Sequence, residues 1–156
     1  MKNVLWLVLM IATPATAEPA VVLTLPVPQE LVVFVEAKTG VKLPEGQNIE
    51  VVENDNPIFT SIEARREGAS GAEIGGVIYL PIRSAVHMSE PQMQALIVHE
   101  LVHVVQTIRD DPLLCAGKRE QEAYAMQNLY LREHSLPTII NEAILPMIEA
   151  CGNSHS

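Results

Sequence analysis

Residues 89–109 limit the possible folds of this 156-residue chain more than any other stretch. Ser89 can cap a helix. Gln92 sits three residues on, where a capping box places its reciprocal acceptor, and Pro91 falls in the first turn, where a missing N–H is harmless. Met93, Leu96, Ile97, Leu101, Val104, Val105 and Ile108 then recur at helical spacing, while Val98 and Val102 make the remaining side apolar too. A helix apolar on nearly every side has to lie in the middle of a domain. Arg109-Asp110-Asp111-Pro112 ends it.

The flanking sequence supplies what can bury such a helix. Residues 19–28 are apolar but proline-punctuated and read as an extended segment. Residues 28–38 suit a first helix, with Leu31, Val32 and Val35 on one side and Gly40 just beyond. Residues 48–53 alternate as a strand, and Asn56-Pro57 starts a short helical segment reaching about Arg66, followed by the turn Gly68-Ala69-Ser70-Gly71. Residues 73–82 are β-rich, with Gly75-Gly76 marking a turn or bulge and Pro81 ending the pairing. A further helix is expected over 118–134, and a last one over 138–150, disturbed by Pro146. Short strands leading into long helices predict an α+β domain.

Residues 1–17 are expected to be a signal peptide. Lys2 gives the positive start, residues 4–12 the apolar run, and Ala15-Thr16-Ala17 the small residues before cleavage. The run falls short of the roughly 20 apolar residues that span a bilayer, although an N-terminal anchor is the alternative. No cysteine stands at the cleavage point, so lipoprotein processing is not expected. The mature chain, 18–156, is one domain's worth of sequence, placed in the periplasm or outside the cell with no stable membrane insertion. Removing Lys2 leaves 9 basic against 19 acidic residues, a net −10. That charge argues against nucleic acid and anionic membranes as partners. Cys115 and Cys151, an even count in an oxidising compartment, read as one disulfide, with free thiols or thiolate metal ligands as the alternatives. Closing that loop is worth about 4 kcal/mol in the chain-entropy picture.

Charged and imidazole groups do not belong in a buried apolar helix unless paired or bound to a metal. His99-Glu100-Leu101-Val102-His103 places three of them there. Positions four apart are about 40° apart around the axis and about 6 Å along it, so both imidazoles can reach one ion. Glu100 projects about 100° away, beside the ion, where a base acting on water belongs. A zinc site of this kind needs a third protein ligand. On the next helix Glu122, Ala125, Met126 and Leu129 share a face, which makes Glu122 the expected ligand, whereas Glu120, about 200° around, is expected to face water. His87 and His134 are the other candidates.

These residues resemble the gluzincin metallopeptidases, small "minigluzincin" forms in particular. The resemblance rests on the histidine pair followed by Glu122-Ala123-Tyr124-Ala125, and covers about residues 73–134. It implies a minimal zincin-like domain: a small sheet packed on an active-site helix, then a glutamate-bearing helix. It further implies zinc held by His99, His103 and Glu122, with Glu100 as catalytic base for hydrolysis of a peptide or protein substrate. Gluzincins often carry an acidic residue four positions after the ligand glutamate. Here that position is Met126, so the partner that supports a histidine is not identified. The strand over 77–80 would, by the same resemblance, lie beside the cleft and could pair an extended peptide by strand addition, and Tyr124, Tyr130, Tyr79 and His87 are candidate oxyanion donors.

Two other classes are open: a non-catalytic peptide-binding module on the zincin scaffold, and a structural zinc protein. Glu100 argues against both, since neither has a use for a carboxylate beside the metal. Trp6, the only tryptophan, lies in the expected leader. Protein recovered from the periplasm of an expressing cell should therefore show tyrosine emission alone; tryptophan emission would mean that the leader is retained.

Overall fold

The computed structural model describes residues 21–60, 70–110, 115–141 and 143. The elements run β1 (Val21–Pro26), α1 (Gln29–Thr39), β2 (Asn48–Val52), α2 (Pro57–Thr60), β3 (Ala72–Ile74), β4 (Val77–Pro81), α3 (Ile82–His87), α4 (Glu90–Arg109) and α5 (Ala116–Glu133). The architecture is α+β, a four-stranded mixed sheet in the order β1-β2-β4-β3 with helices packed on it. The expected leader, the segment 61–69, most of the expected last helix and Cys151 lie outside the described residues. Residues 138–141, where that last helix was expected to begin, are irregular.

Local chemistry accounts for each boundary. Gly40 ends α1 in the left-handed conformation, φ 69°, which costs a glycine nothing. Gly75 and Gly76, φ 60° and 88°, turn β3 back onto β4, and the Gly76 N–H donates to Glu73 Oε1 at 2.6 Å. The last β2–β4 partner pair is Val52 with Pro81, since proline cannot extend the ladder. Ser89 and Gln92 close the capping box of α4, with the Ser89 N–H donating to Gln92 Oε1 at 3.0 Å.

Parallel pairing of β2 with β4 sets Ile49 beside Ile78 and Val51 beside Leu80, all four buried. Ile49, Ile78 and Leu80 join Leu31 and Val35 of α1 and Leu96, Val98, Leu101 and Val105 of α4 in one apolar cluster. Helix α4 is the hub. It packs on α1, α5, β3 and β4, as its all-round apolar surface requires. Cys115, the N-cap of helix α5, is disulfide-bonded; the only other cysteine in the sequence is Cys151. Helix α3 had no counterpart in the sequence reading, which ended the β-rich segment at residue 82. Among the described residues no helix is long and apolar enough to cross a membrane.

Leu31 and Val33 stand two residues apart on α1, at 0% and 53% exposure. Leu31→Ala should cost about 2–5 kcal/mol in urea unfolding followed by circular dichroism, as core truncations do. Val33→Ala should stay within about 0.5 kcal/mol. Equal effects would place α1 wrongly.

Candidate metal centre

The middle of α4 carries the polar groups. His99 and Glu100 are 6% and 3% exposed. The imidazoles of His99 and His103 point the same way, with ring centroids 4.9 Å and Nε2 atoms 3.2 Å apart. Helix α5 brings Glu120 across them. Its Oε2 lies 3.3 Å from His99 Nε2 and its Oε1 3.3 Å from His103 Nε2. Together His99, His103 and Glu120 form a group that could hold a metal ion. The spacing fits one. Bonds of about 2.0–2.1 Å at tetrahedral angles put neighbouring donor atoms about 3.3 Å apart.

Glu122, the expected third ligand, does not join the histidines. It accepts from Arg109 Nη1 at 2.5 Å and from Gln106 Nε2 at 3.0 Å. The buried stripe of α5 runs through Ala123, Gln127, Tyr130 and Leu131, and Glu120 sits one turn before it. Residues seven apart in a helix differ by about 20° in direction, so Glu120 and Gln127 face the same neighbour. The stripe expected from Ala125, Met126 and Leu129 is instead exposed or half-buried. The family spacing could not choose, because a small residue follows three positions after either glutamate: Ala123 after Glu120, Ala125 after Glu122.

Two glutamines complete the surroundings, and both escaped the sequence reading. Gln127 Oε1 lies 3.2 Å from His99 Nδ1, and Gln106 Oε1 lies 2.8 Å from His103 Nδ1. Both are 3% exposed; for Gln106 the available signal is a polar amide on an apolar helix, whereas nothing local marks Gln127. Gly71, a turn residue by sequence, also borders the site. A Cβ there would lie 2.5 Å from Glu100 Oε1, so the chain passes close against that carboxylate.

Burial sets the electrostatics. It pushes the Glu100 carboxyl up to about 6, against the pull of His99 and His103 and with help from Glu120 and Glu73. Burial would also raise Glu120, but hydrogen bonds with both histidines hold it well below the usual carboxylate range. At His103 burial alone would lower the pKa; the hydrogen bond to Glu120 and the charge of Glu100 outweigh it, and the value rises.

A cleft of about 690 Å³ opens over the group. Its walls include Ala72, Glu73 and Ile74 of β3, Gly71, Arg119 and Tyr124. Strand β4, expected beside the cleft, is an inner strand between β2 and β3. Strand β3 ends the order, so its outer edge has no strand partner among the described residues. Of the four candidate oxyanion donors only Tyr124 reaches the cleft, its ring 4.5 Å from that of His99. Tyr130 donates to Gln94 Oε1 at 3.0 Å and stacks on His134, which itself meets the Tyr130 carbonyl at the end of α5.

Residues 63–155, which include α4, α5 and all three members of the His99–His103–Glu120 group, match the family described as a domain of unknown function, DUF6647. The chain belongs to that family. The DUF6647 match also takes in Glu100, Glu122, Gln106, Gln127 and both cysteines, and leaves out β1, α1, β2 and α2. No curated protein and no solved structure matches the chain.

Zinc titration of the purified protein ranks the two glutamates. Glu120→Ala should weaken binding more than Glu122→Ala, because it removes a donor atom where the other removes an outer contact. The reverse order, read by competition with a chromophoric chelator, would restore Glu122 as the third ligand.

Proposed function

We propose that this DUF6647 protein is a zinc-dependent hydrolase, a peptidase, with His99, His103 and Glu120 as metal ligands and Glu100 as general base. One observation carries the reading. Two imidazole nitrogens and a carboxylate converge at the spacing of tetrahedral ligands, beside a buried carboxylate that is not one of them. Zinc suits two nitrogens and one carboxylate oxygen. Three ligands under an open cleft is the pattern of a catalytic site, whereas structural sites are closed by a fourth. The gluzincin resemblance persists with Glu120 in the place expected of Glu122.

Bound there, zinc would supply Lewis acidity to a water and to the carbonyl under attack. The chain's own groups do the rest. Glu100, with its affinity for protons raised by burial, takes the proton of the attacking water and passes it to the leaving amine. The outer edge of β3 can pair the backbone of an extended peptide and hold it along the cleft. Tyr124 is the proposed donor to the tetrahedral oxyanion. Residues 1–17 as a leader and the disulfide at Cys115 both support export to an oxidising compartment, the periplasm or the exterior.

Glu100→Gln should retain zinc and lose about 10²–10⁴-fold in cleavage of a broad peptide library, the usual worth of a general base. Wild-type protein that holds zinc, binds peptides and cleaves none would favour the binding-module reading.

A further inference from the structure

Glu122 is not on the histidines, yet an unbroken chain of hydrogen bonds leads from it to His103. We propose that Glu122, held by Arg109, is a positioning residue: through the Gln106 amide it fixes the His103 tautomer that leaves Nε2 free for a metal. The inference rests on the metal-site reading above.

Gln106 lies on α4 three residues after His103, and each end of its amide is fixed by its own neighbours. The Nε2 end faces the Arg119 carbonyl oxygen at 2.9 Å and Glu122 Oε2 at 3.0 Å. An ionised carboxylate and a carbonyl only accept, so this end must be the NH₂ group. The Oε1 end faces Arg119 Nε at 3.3 Å, which only donates, and His103 Nδ1 at 2.8 Å. Oxygen therefore stands against Nδ1, and Nδ1 must carry the proton. The imidazolium carries a proton on each nitrogen and can donate to Glu120 from Nε2; the neutral ring has one N–H, and with it on Nδ1 the Nε2 lone pair is free for a cation held between it, Glu120 and His99.

Glu122 is the charged member that accepts at the NH₂ end. Hydrogen bonds to ionised groups are roughly twice as strong as neutral ones, so it outweighs the Arg119 carbonyl in orienting the amide. Its other oxygen is held by Arg109 Nη1 at 2.5 Å, and Arg109 Nη2 reaches the Thr39 carbonyl at the end of α1 at 3.4 Å. The chain of contacts is thus anchored outside the helix pair that carries the ligands. A glutamine at 122 would keep the shape but could donate as well as accept. Gln106 would then be held in its present sense by Arg119 alone, through the 3.3 Å contact at Oε1 and the carbonyl at Nε2, and could turn over, present its NH₂ to Nδ1 and select the tautomer with a proton on Nε2.

The test compares wild type with Glu122→Gln. Long-range ¹H–¹⁵N spectra of the metal-free proteins, at a pH where the imidazoles are neutral, report the tautomer of each histidine. Zinc affinity is measured separately by chelator competition. Wild type should show Nδ1–H at His103. Glu122→Gln should populate Nε2–H there, leave His99 unchanged beside Gln127, and bind zinc about 10–100-fold more weakly, the usual cost of losing such a support. Wild type that binds no zinc overturns the metal reading and this inference together. Wild type that binds zinc, with the variant equal in affinity and in His103 tautomer, overturns the inference alone.

Discussion

Everything around the centre of α4 answers one cost: three ionisable side chains are taken out of water inside an apolar helix. Unpaired, each would be expensive to bury, and the low dielectric that makes it so also strengthens any partner that is found. The helix supplies one partner itself, Gln106. The others must arrive from elsewhere, and α5 brings Glu120 and Gln127 on one stripe. The docking of α5 on α4 is therefore specified twice, by apolar contact through Tyr130 and Leu131 and by polar contact through Glu120 and Gln127. Apolar packing alone tolerates a range of crossing arrangements. The polar contacts select one.

The supports of the two histidines are amides rather than carboxylates. The cleft already holds Glu73, Glu100 and Glu120. A carboxylate behind each imidazole would raise its basicity, but would add further negative charge beside Glu100. That would push the Glu100 carboxyl higher still and make it harder to keep ionised. A neutral amide orients the ring without that effect. The charge that orients Gln106 is placed one bond farther out, at Glu122, and Arg109 neutralises it there. The arrangement separates the setting of a tautomer from the setting of a base.

The elements were legible wherever local rules decide them. The capping box at Ser89 and Gln92, the glycine stop at Gly40, the Gly75-Gly76 turn and the proline limit at Pro81 all depend on near neighbours in sequence, and each stands where expected. The histidine pair was legible for the same reason, since four residues of helix fix their relation. Glu120 was not. Its direction depends on which stripe of α5 meets α4, and helical spacing offered two stripes with a glutamate each. Met126 and Leu129 are apolar and Gln127 is not, so the apolar pattern points away from the buried stripe. The buried stripe carries a glutamine because a histidine waits opposite it, a fact held in another helix. A polar residue whose burial is justified by a partner far along the chain reads as surface.

The span shared with the DUF6647 family and the span needed for the fold differ for a similar reason. Every group assigned to the centre falls within 63–155. Yet β4 takes its parallel partner from β2, and the far side of α4 is covered by α1, both before residue 63. Without them Ile78, Leu80 and much of α4 would face water, losing about 25 cal/mol for each Å² of apolar surface uncovered. The Arg109 contact to the Thr39 carbonyl shows that this outer part also reaches the centre. Chemistry in a site constrains particular side chains, while a scaffold constrains only that apolar surface be covered. A family match that begins at residue 63, past β1, α1 and β2, is the form expected when the site is specified residue by residue and its cover is specified only by pattern.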